Sequence, residues 1–221
     1  MKLLAVSDVE IGYLYSPMIL DKFHDIDLIF SCGDLPYYYL EYILTMLNVP
    51  CYFVRGNHAS MEEYGIAGAR QSPWGAIDMH RRCVEDDTGL LIAGLEGSLR
   101  YNRGAHQYTP AEYWNMVFQL VPRLLINKAR LGRYLDIFIA HAPPWQIHDE
   151  DDLPHRGIKA FQWLIKVFQP EYFLHGHIHV YRSDTVTWTQ VGRTAVVNVY
   201  GYRQISIDGP KMRPWQKKRI G

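Results

Sequence analysis

Three histidines lie within five residues near the C-terminal end of the chain, in the segment Leu174-His175-Gly176-His177-Ile178-His179. Side chains two positions apart in an extended or sharply turned backbone point to the same side. Either His177 and His179 or His175 and His177 can therefore share one site. Neutral imidazole is the commonest metal ligand in proteins. The segment indicates a metal site, and the alternative is a polar loop that is merely rich in histidine, so further ligands must be sought elsewhere.

Carboxylate, amide and imidazole groups also follow four apolar runs earlier in the chain. They are Asp8 and Glu10 after residues 2–7, Asp34 after 27–32, Asn57 and His58 after 49–54, and His141 after 135–140. Each run is long enough for a buried strand, and the first three alternate with predicted helices at residues 16–23 and 37–47. Such alternation predicts βαβ units around a parallel sheet. Because parallel strands end at one edge, where open α/β sheets bind their ligands, these groups are expected to converge.

The expected cluster holds enough ligands for two metal ions. Mixed carboxylate and imidazole ligands without thiolate favour Mn, Fe, Zn or Ni over a soft metal. Two ions about 4 Å apart form a clamp for in-line displacement at phosphorus, in which they neutralise the phosphoryl oxygens. A nearby imidazole can protonate the leaving oxygen. The chemistry that these residues favour is hydrolysis of a phosphoester.

The same groups, taken in order, resemble the signature of the calcineurin-like metallophosphoesterase superfamily. The matching blocks are Ser7-Asp8-x-Glu10, Gly33-Asp34, Gly56-Asn57-His58, His141 and Gly176-His177-x-His179. They span residues 8–179, most of the chain. The resemblance implies an α/β fold: a single-domain α/β/β/α sandwich of two mixed β-sheets flanked by helices. It is built from βαβ units with a C-terminal β-meander, for which the chain has β-rich segments at residues 185–190, 194–200 and 204–208.

The resemblance also implies an enzyme, a metal-dependent phosphoesterase, and a role for each matched residue. It would hydrolyse a phosphodiester or phosphomonoester by attack of a hydroxide that bridges two divalent ions, with Mn expected and Fe, Zn, Ni or Mg as alternatives. Asp34 would bridge the ions and His58 would assist the leaving group. The other ligands would be Asp8 and His179 at the first ion and Asn57, His141 and His177 at the second, with Glu10 as a further candidate at the first ion. His175 lies outside the motif and is interpreted as supporting or structural.

Two positions depart from the family pattern. Glu10 stands where the family usually has histidine, so it either binds the first ion, favouring Mn²⁺ or Mg²⁺ over Zn²⁺, or points away and leaves that site weakened. Ala59 stands where an acid usually follows the Asn-His pair, so another carboxylate would have to orient His58. These departures motivate an alternative function, a catalytically decayed phosphoesterase scaffold that acts as a metal-binding or protein-interaction module. Retention of His58, Asn57 and the other ligands favours the enzyme.

Several segments are candidates for the substrate pocket. Residues 61–87 form an irregular excursion, with a helix predicted near residues 61–64, that is either a lid or a plain surface insertion. Arg100 and Arg103 can bind an anionic substrate or lie in a solvated loop. His155 follows an acidic run at residues 149–152 and can reach a phosphate. A capping box at Thr109 begins a helix, which Pro122 is expected to break into two segments.

Composition limits the compartment and the partners. The 221 residues predict one domain, residues 1–210, followed by a basic tail at 211–221 that is either a solvated terminus or a contact for nucleic acid or a membrane. Lys+Arg and Asp+Glu number 23 each, so nucleic acid is a disfavoured partner. Three scattered cysteines, with neither a signal peptide nor a membrane span, predict a cytoplasmic protein without a membrane partner. The expected partner is a small phosphoester, and 6 Trp and 16 Tyr are compatible with a homodimer.

Overall fold

The computed structural model describes residues 1–58, 62–65 and 68–209. The helices are α1 Ile19–Phe23, α2 Tyr37–Leu47, α3 Pro110–Leu131 and α4 Lys159–Phe168. The strands are β1 Lys2–Ser7, β2 Leu28–Ser31, β3 Cys51–Phe53, β4 Glu63–Gly65, β5 Gly68–Arg70, β6 Ala76–Asp78, β7 Arg82–Glu85, β8 Leu91–Leu95, β9 Ser98–Leu99, β10 Gln107–Tyr108, β11 Ile137–Ala140, β12 Tyr172–His175, β13 Trp188–Val191, β14 Thr194–Asn198 and β15 Gly201–Ser206. The basic tail and Ala59 lie outside the described residues. Among the helices described, none is long and apolar enough to cross a membrane.

Two mixed sheets form the centre of the molecule. The first has the order β15-β1-β2-β3-β6, in which β15 is antiparallel to β1 and the other neighbours are parallel. The second has the order β13-β14-β12-β11-β8-β7, with antiparallel strands only at its two edges. Short ribbons pair β4 with β5 and β9 with β10. The predicted α/β fold of two mixed sheets flanked by helices is therefore confirmed.

The central strands are buried on both faces, which gives the four-layer arrangement. On β1, Leu3 faces the other sheet, in one core with Ile139, whereas Leu4 faces α1 and α2, in a core with Phe23. Helices α3 and α4 cover the outer face of the second sheet, where Phe138 is fully buried. Adjacent strand residues point to opposite faces, so strands between two layers read as continuous apolar runs. Truncating one such leucine to alanine costs about 2–5 kcal/mol.

Helix α3 begins as predicted but does not break at Pro122. The Thr109 side chain accepts from the Glu112 backbone N–H, the Glu112 carboxylate accepts from the Thr109 backbone N–H, and Gly132 ends the helix at a φ of 77°. The 22 residues between these caps are continuous, so the expected break is wrong. Pro122 is exposed, so water can satisfy the carbonyl that its missing N–H would have bonded.

Three further local predictions change. Residues 63–65 form strand β4, so the helix predicted near residues 61–64 is wrong. The irregular segment at residues 61–87 also contributes strand β6 to the first sheet and strand β7 to the second. Helix α1 begins at Ile19, not after Ser16, whose hydroxyl donates to the carbonyl of Tyr13. Of the three terminal strands, β13 and β14 pair in the second sheet, but β15 crosses to β1 in the first.

Candidate metal centre

The polar groups predicted to converge lie together at the carboxyl ends of β1, β2, β3, β11 and β12. Backbone hydrogen bonds join neighbouring strand ends within each sheet. The Asp8 N–H donates to the Gly33 carbonyl at 3.1 Å, and the Gly176 N–H donates to the His141 carbonyl at 3.0 Å. The strand ends of the two sheets also meet each other, and these contacts join residues more than a hundred positions apart, as between the His141 ring and the Cys32 carbonyl at 2.7 Å.

Four residues form what we call the inner cluster: Asp34, Asn57, His141 and His177. Nε2 of His141 lies 3.0 Å from Asn57 Oδ1 and 3.1 Å from Asp34 Oδ2. Nδ1 of the same ring donates to the Cys32 carbonyl at 2.7 Å, which leaves Nε2 as the nitrogen that faces the cluster. Two oxygen acceptors and one imidazole nitrogen thus converge on one buried point, as they do in a metal site.

His177 completes the inner cluster. Its ring lies 4.8 Å from the ring of His141, and ligand atoms of Asp34, His141 and His177 all lie within 4.8 Å of one another. Nε2 of His177 lies 2.8 Å from the Pro154 carbonyl; with Nε2 as the donor, Nδ1 is free to bind an ion. Burial and the neighbouring His141 lower the pKa of His177 to about 3. This ring is therefore neutral at physiological pH, as a ligand must be.

Electrostatics couple Asp34 and His141. Burial alone would raise the pKa of Asp34, but the charge and hydrogen bond of His141 outweigh it and lower that pKa to about 2. Burial alone would lower the pKa of His141, but Asp34 and Asp8 outweigh it and raise that pKa to about 9. The two pKa values move in opposite directions, as expected for a carboxylate and an imidazole that form an ion pair. The metal-free cluster thus carries a proton on His141 that compensates the buried carboxylates.

Asp8 and His179 form what we call the outer cluster, which is more open. Both carboxylate oxygens of Asp8 accept from the His177 backbone N–H, at 3.1 and 3.0 Å. Nε2 of His179 lies 4.0 Å from Asp8 Oδ1, and the side chain is 44% exposed. Nδ1 of His179 lies 2.7 Å from the hydroxyl of Tyr181. Burial raises the pKa of Asp8 despite the charge of His141. Asp8 and His179, which are expected to bind the first ion, are thus near each other, but their ligand atoms are farther apart than those of His141 and Asp34.

Glu10, two residues after Asp8, is exposed. Its Oε2 accepts a hydrogen bond from the Tyr38 hydroxyl at 2.7 Å. That contact raises the pKa of Tyr38 to about 12, because the neighbouring carboxylate disfavours the phenolate. Among the described contacts, none joins the Glu10 carboxylate to Asp8 or His179. Its role as a ligand stays a prediction.

The backbone is strained where it presents these groups. Asp8, Asp34 and His177 all have left-handed conformations, with φ of 66°, 53° and 67°. A non-glycine residue in this region costs about 1–3 kcal/mol and persists where the surroundings impose it, often at functional sites. Gly56 lies directly against the Asp34 carboxylate, where an added Cβ would overlap it. The backbone conformation of the loops after β1, β2, β3 and β12 therefore places Asp8, Asp34 and His177 close together.

The remaining predicted site residues are His58, Arg100, Arg103 and His155. The His58 backbone N–H donates to Asp34 Oδ1 at 2.9 Å, and the residue is exposed. Arg100 forms an ion pair with Glu112 at 3.1 Å, and Arg103 is exposed. The ring of His155 lies 5.2 Å from that of His177. Of this group, His58 and His155 lie against the inner cluster.

A buried charged network supports the loop that carries Asn57. Glu96 accepts from the Tyr108 hydroxyl at 2.6 Å and lies 3.0 Å from Nδ1 of His106 and 3.4 Å from Arg55, which also pairs with Asp78 at 2.6 Å. Burial would raise the pKa of Glu96, but His106, His80 and Tyr108 outweigh it and lower that pKa to about 2. The Arg55 carbonyl accepts from the Gly97 N–H at 2.9 Å. The network thus connects the strand ends that precede Asn57 and follow β8.

Several supporting groups were not predicted from the sequence. The carbonyls of Cys32 and Pro154 and the hydroxyl of Tyr181 each contact the far nitrogen of a site histidine, and the Tyr101 hydroxyl accepts from Nδ2 of Asn57 at 3.1 Å. Backbone carbonyls leave no signal in residue types. His175, interpreted as structural, is fully buried with Nε2 2.9 Å from His148.

The donor set fits divalent metal ions. The inner cluster offers one carboxylate, one amide oxygen and two imidazoles, and the outer cluster adds a carboxylate and a third imidazole. A family model described as calcineurin-like phosphoesterase matches residues 1–181. The chain belongs to this family. The resemblance in the ordered motifs is thereby confirmed, and metal-dependent phosphoester hydrolysis is the chemistry typical of the family.

Solved structures agree with the fold. One that is 15% identical superposes with a TM-score of 0.61 and covers 92% of this chain and 94% of its own. The structure of TT1561 of Thermus thermophilus is 17% identical, with a TM-score of 0.56, and covers 90% of this chain and 89% of its own. A comparison with curated proteins finds no match. At these identities the likeness supports the fold alone.

Proposed function

We propose that the protein is a dinuclear metal-dependent phosphoesterase that hydrolyses a small phosphodiester or phosphomonoester. The observation that carries the proposal is the inner cluster, in which four side chains from four different strand ends lie together. Burying two carboxylates and two imidazoles at one edge is costly unless an ion compensates them. Membership of the phosphoesterase family is the independent support.

The residues divide between two ions. Asp34, Asn57, His141 and His177 would hold one ion, and Asp8 and His179, with Asp34 shared and Glu10 as a further candidate, would hold the other. Divalent ions neutralise phosphoryl oxygens and lower the pKa of bound water. With Glu10 as a further carboxylate, the outer site would favour Mn²⁺, and Fe, Zn, Ni and Mg are alternatives. The inner site, already closed, is expected to bind its ion more tightly than the open outer site.

His58 is proposed to protonate the leaving oxygen. The 2.9 Å hydrogen bond holds the backbone N–H of His58 beside Asp34. His58 is also exposed, so an incoming ester can reach it. A general acid contributes typically about 10²–10⁴-fold. The contribution should be largest where the leaving group is a poor one, because such a group needs the proton most. Arg100, Arg103 and His155 are proposed to contact the anionic substrate.

The test compares leaving groups. Purified protein with Mn²⁺ is screened on aryl phosphate monoesters and diesters, and His58→Ala is then assayed on aryl esters of graded leaving-group pKa. We expect a loss of at least about 100-fold on poor leaving groups and a much smaller loss on 4-nitrophenol esters. His24→Ala, which changes an exposed histidine after α1, is the matched control. A loss independent of the leaving group would remove His58 from this role.

One observation favours a second candidate, a decayed scaffold that acts as a metal-binding or protein-interaction module. Glu10 replaces the usual histidine, and its carboxylate is bonded to Tyr38. Elemental analysis that finds less than one metal per chain, together with no hydrolysis of either ester class, would favour this candidate. A cytoplasmic location, a homodimer and the lack of membrane or nucleic-acid partners stay predictions.

A further inference from the structure

Asn57 is bonded at both ends of its side-chain amide. Oδ1 lies 3.0 Å from His141 Nε2, and Nδ2 donates to the Tyr101 hydroxyl at 3.1 Å. The His141 contact needs a proton on Nε2, and an ion that binds Nε2 would displace that proton. The Tyr101 contact needs no such proton. It is therefore the contact that can hold Asn57 in place both before and after metal binding.

The loop that carries Tyr101 is itself anchored. Gln107 is 5% exposed, and its Oε1 accepts from the backbone N–H groups of Tyr101 at 3.2 Å and Asn102 at 3.1 Å. The Asn102 side chain accepts from the Gly104 N–H. An irregular loop held by a buried amide places a side chain more firmly than a loop held by its ends alone. The Tyr101 hydroxyl thus has a defined position against Asn57.

We propose that Tyr101 is a positioning residue for the inner metal site, which acts by holding the Asn57 amide so that Oδ1 faces the ion. The proposal rests on the proposed function only in assuming that the inner cluster binds a metal. An amide oxygen is a neutral and weak ligand, so its contribution depends on being placed in advance. Groups that hold a ligand from behind typically contribute about 10–100-fold in metal affinity or activity.

Tyr101→Phe removes the hydroxyl and keeps the ring. We expect the affinity for the first equivalent of Mn²⁺, measured by isothermal titration calorimetry, to fall by about tenfold or more. The unfolding midpoint of the metal-free protein should stay unchanged. If turnover is detected, excess Mn²⁺ should restore kcat, because the hydroxyl acts through the metal and not on the substrate. Tyr134→Phe, near the start of β11 and the opposite end of that strand from His141, is the matched control and should change none of these.

Three results would overturn the proposal. The first is a Mn²⁺ affinity within about threefold of the wild type. The second is a loss of affinity that accompanies an equal loss of stability in the metal-free protein, since a merely structural role moves both. The third is a loss of kcat that saturating Mn²⁺ leaves in place. A wild-type protein that binds Mn²⁺ but hydrolyses no ester would refute the proposed function, while the affinity comparison would still decide the role of Tyr101.

Discussion

Metal binding should depend steeply on pH because His141 must lose a proton to become a ligand. Its pKa is raised to about 9, so at pH 7 the metal-free protein holds this proton. An ion at Nε2 displaces it at a cost of about 3 kcal/mol at pH 7. The apparent affinity should therefore rise about tenfold per pH unit below pH 9, or about 100-fold from pH 6 to pH 8.

The assay is calorimetric titration of the metal-stripped protein with Mn²⁺ at pH 6, 7 and 8. Repeating it in buffers with different heats of ionisation gives the number of protons released. About one proton should leave with the first equivalent at pH 7, because His177, with a pKa of about 3, is already neutral. An affinity that is equal at pH 6 and pH 8, or a first equivalent that releases no proton, would refute this reasoning.

Three further predictions address the support of the site. Glu96→Gln should lower the free energy of unfolding by about 3 kcal/mol at pH 7, measured by urea denaturation. Because the folded pKa is about 2 against 4.5, this stability is present above pH 4.5 and is lost as the pH falls toward 2; a difference that stays constant with pH would contradict it. Gly56→Ala should weaken Mn²⁺ binding by about tenfold or more by displacing an inner-cluster carboxylate, whereas Gly12→Ala, which has open space around it, should not. Tyr38→Phe, which frees the Glu10 carboxylate, should tighten the second equivalent of Mn²⁺ by about fivefold; no change would argue against Glu10 as a ligand.

Much of the site could be predicted because it follows strand ends. A buried strand is a short apolar run, and the polar residue after it lies at the sheet edge, so Asp8, Asp34, Asn57 and His141 could be placed without knowing any contact. Parallel direction then brings the ends together. The same reasoning extends to His177, which follows β12.

What could not be predicted depends on non-local contacts or on backbone atoms. The pairing of β15 with β1 joins residues about two hundred positions apart and leaves no local pattern. Tyr101 lies in an irregular loop whose path is determined by Gln107, not by periodicity. Pro122 remains inside α3 because packing of the buried face outweighs the lost hydrogen bond. The Glu10 carboxylate accepts a hydrogen bond from Tyr38 of α2, and no sequence motif indicates this contact.

The most direct measurement of the central claim is the dependence of hydrolysis on the metal. Metal-stripped protein is assayed on an activated aryl phosphodiester and monoester before and after addition of two equivalents of Mn²⁺, beside Asp34→Asn. We predict no turnover without metal, turnover on at least one ester with Mn²⁺, reversal by a chelator, and a loss of at least about 100-fold in the variant. Turnover that survives removal of the metal, or a wild-type protein inert on both esters with every divalent ion tried, would contradict the account.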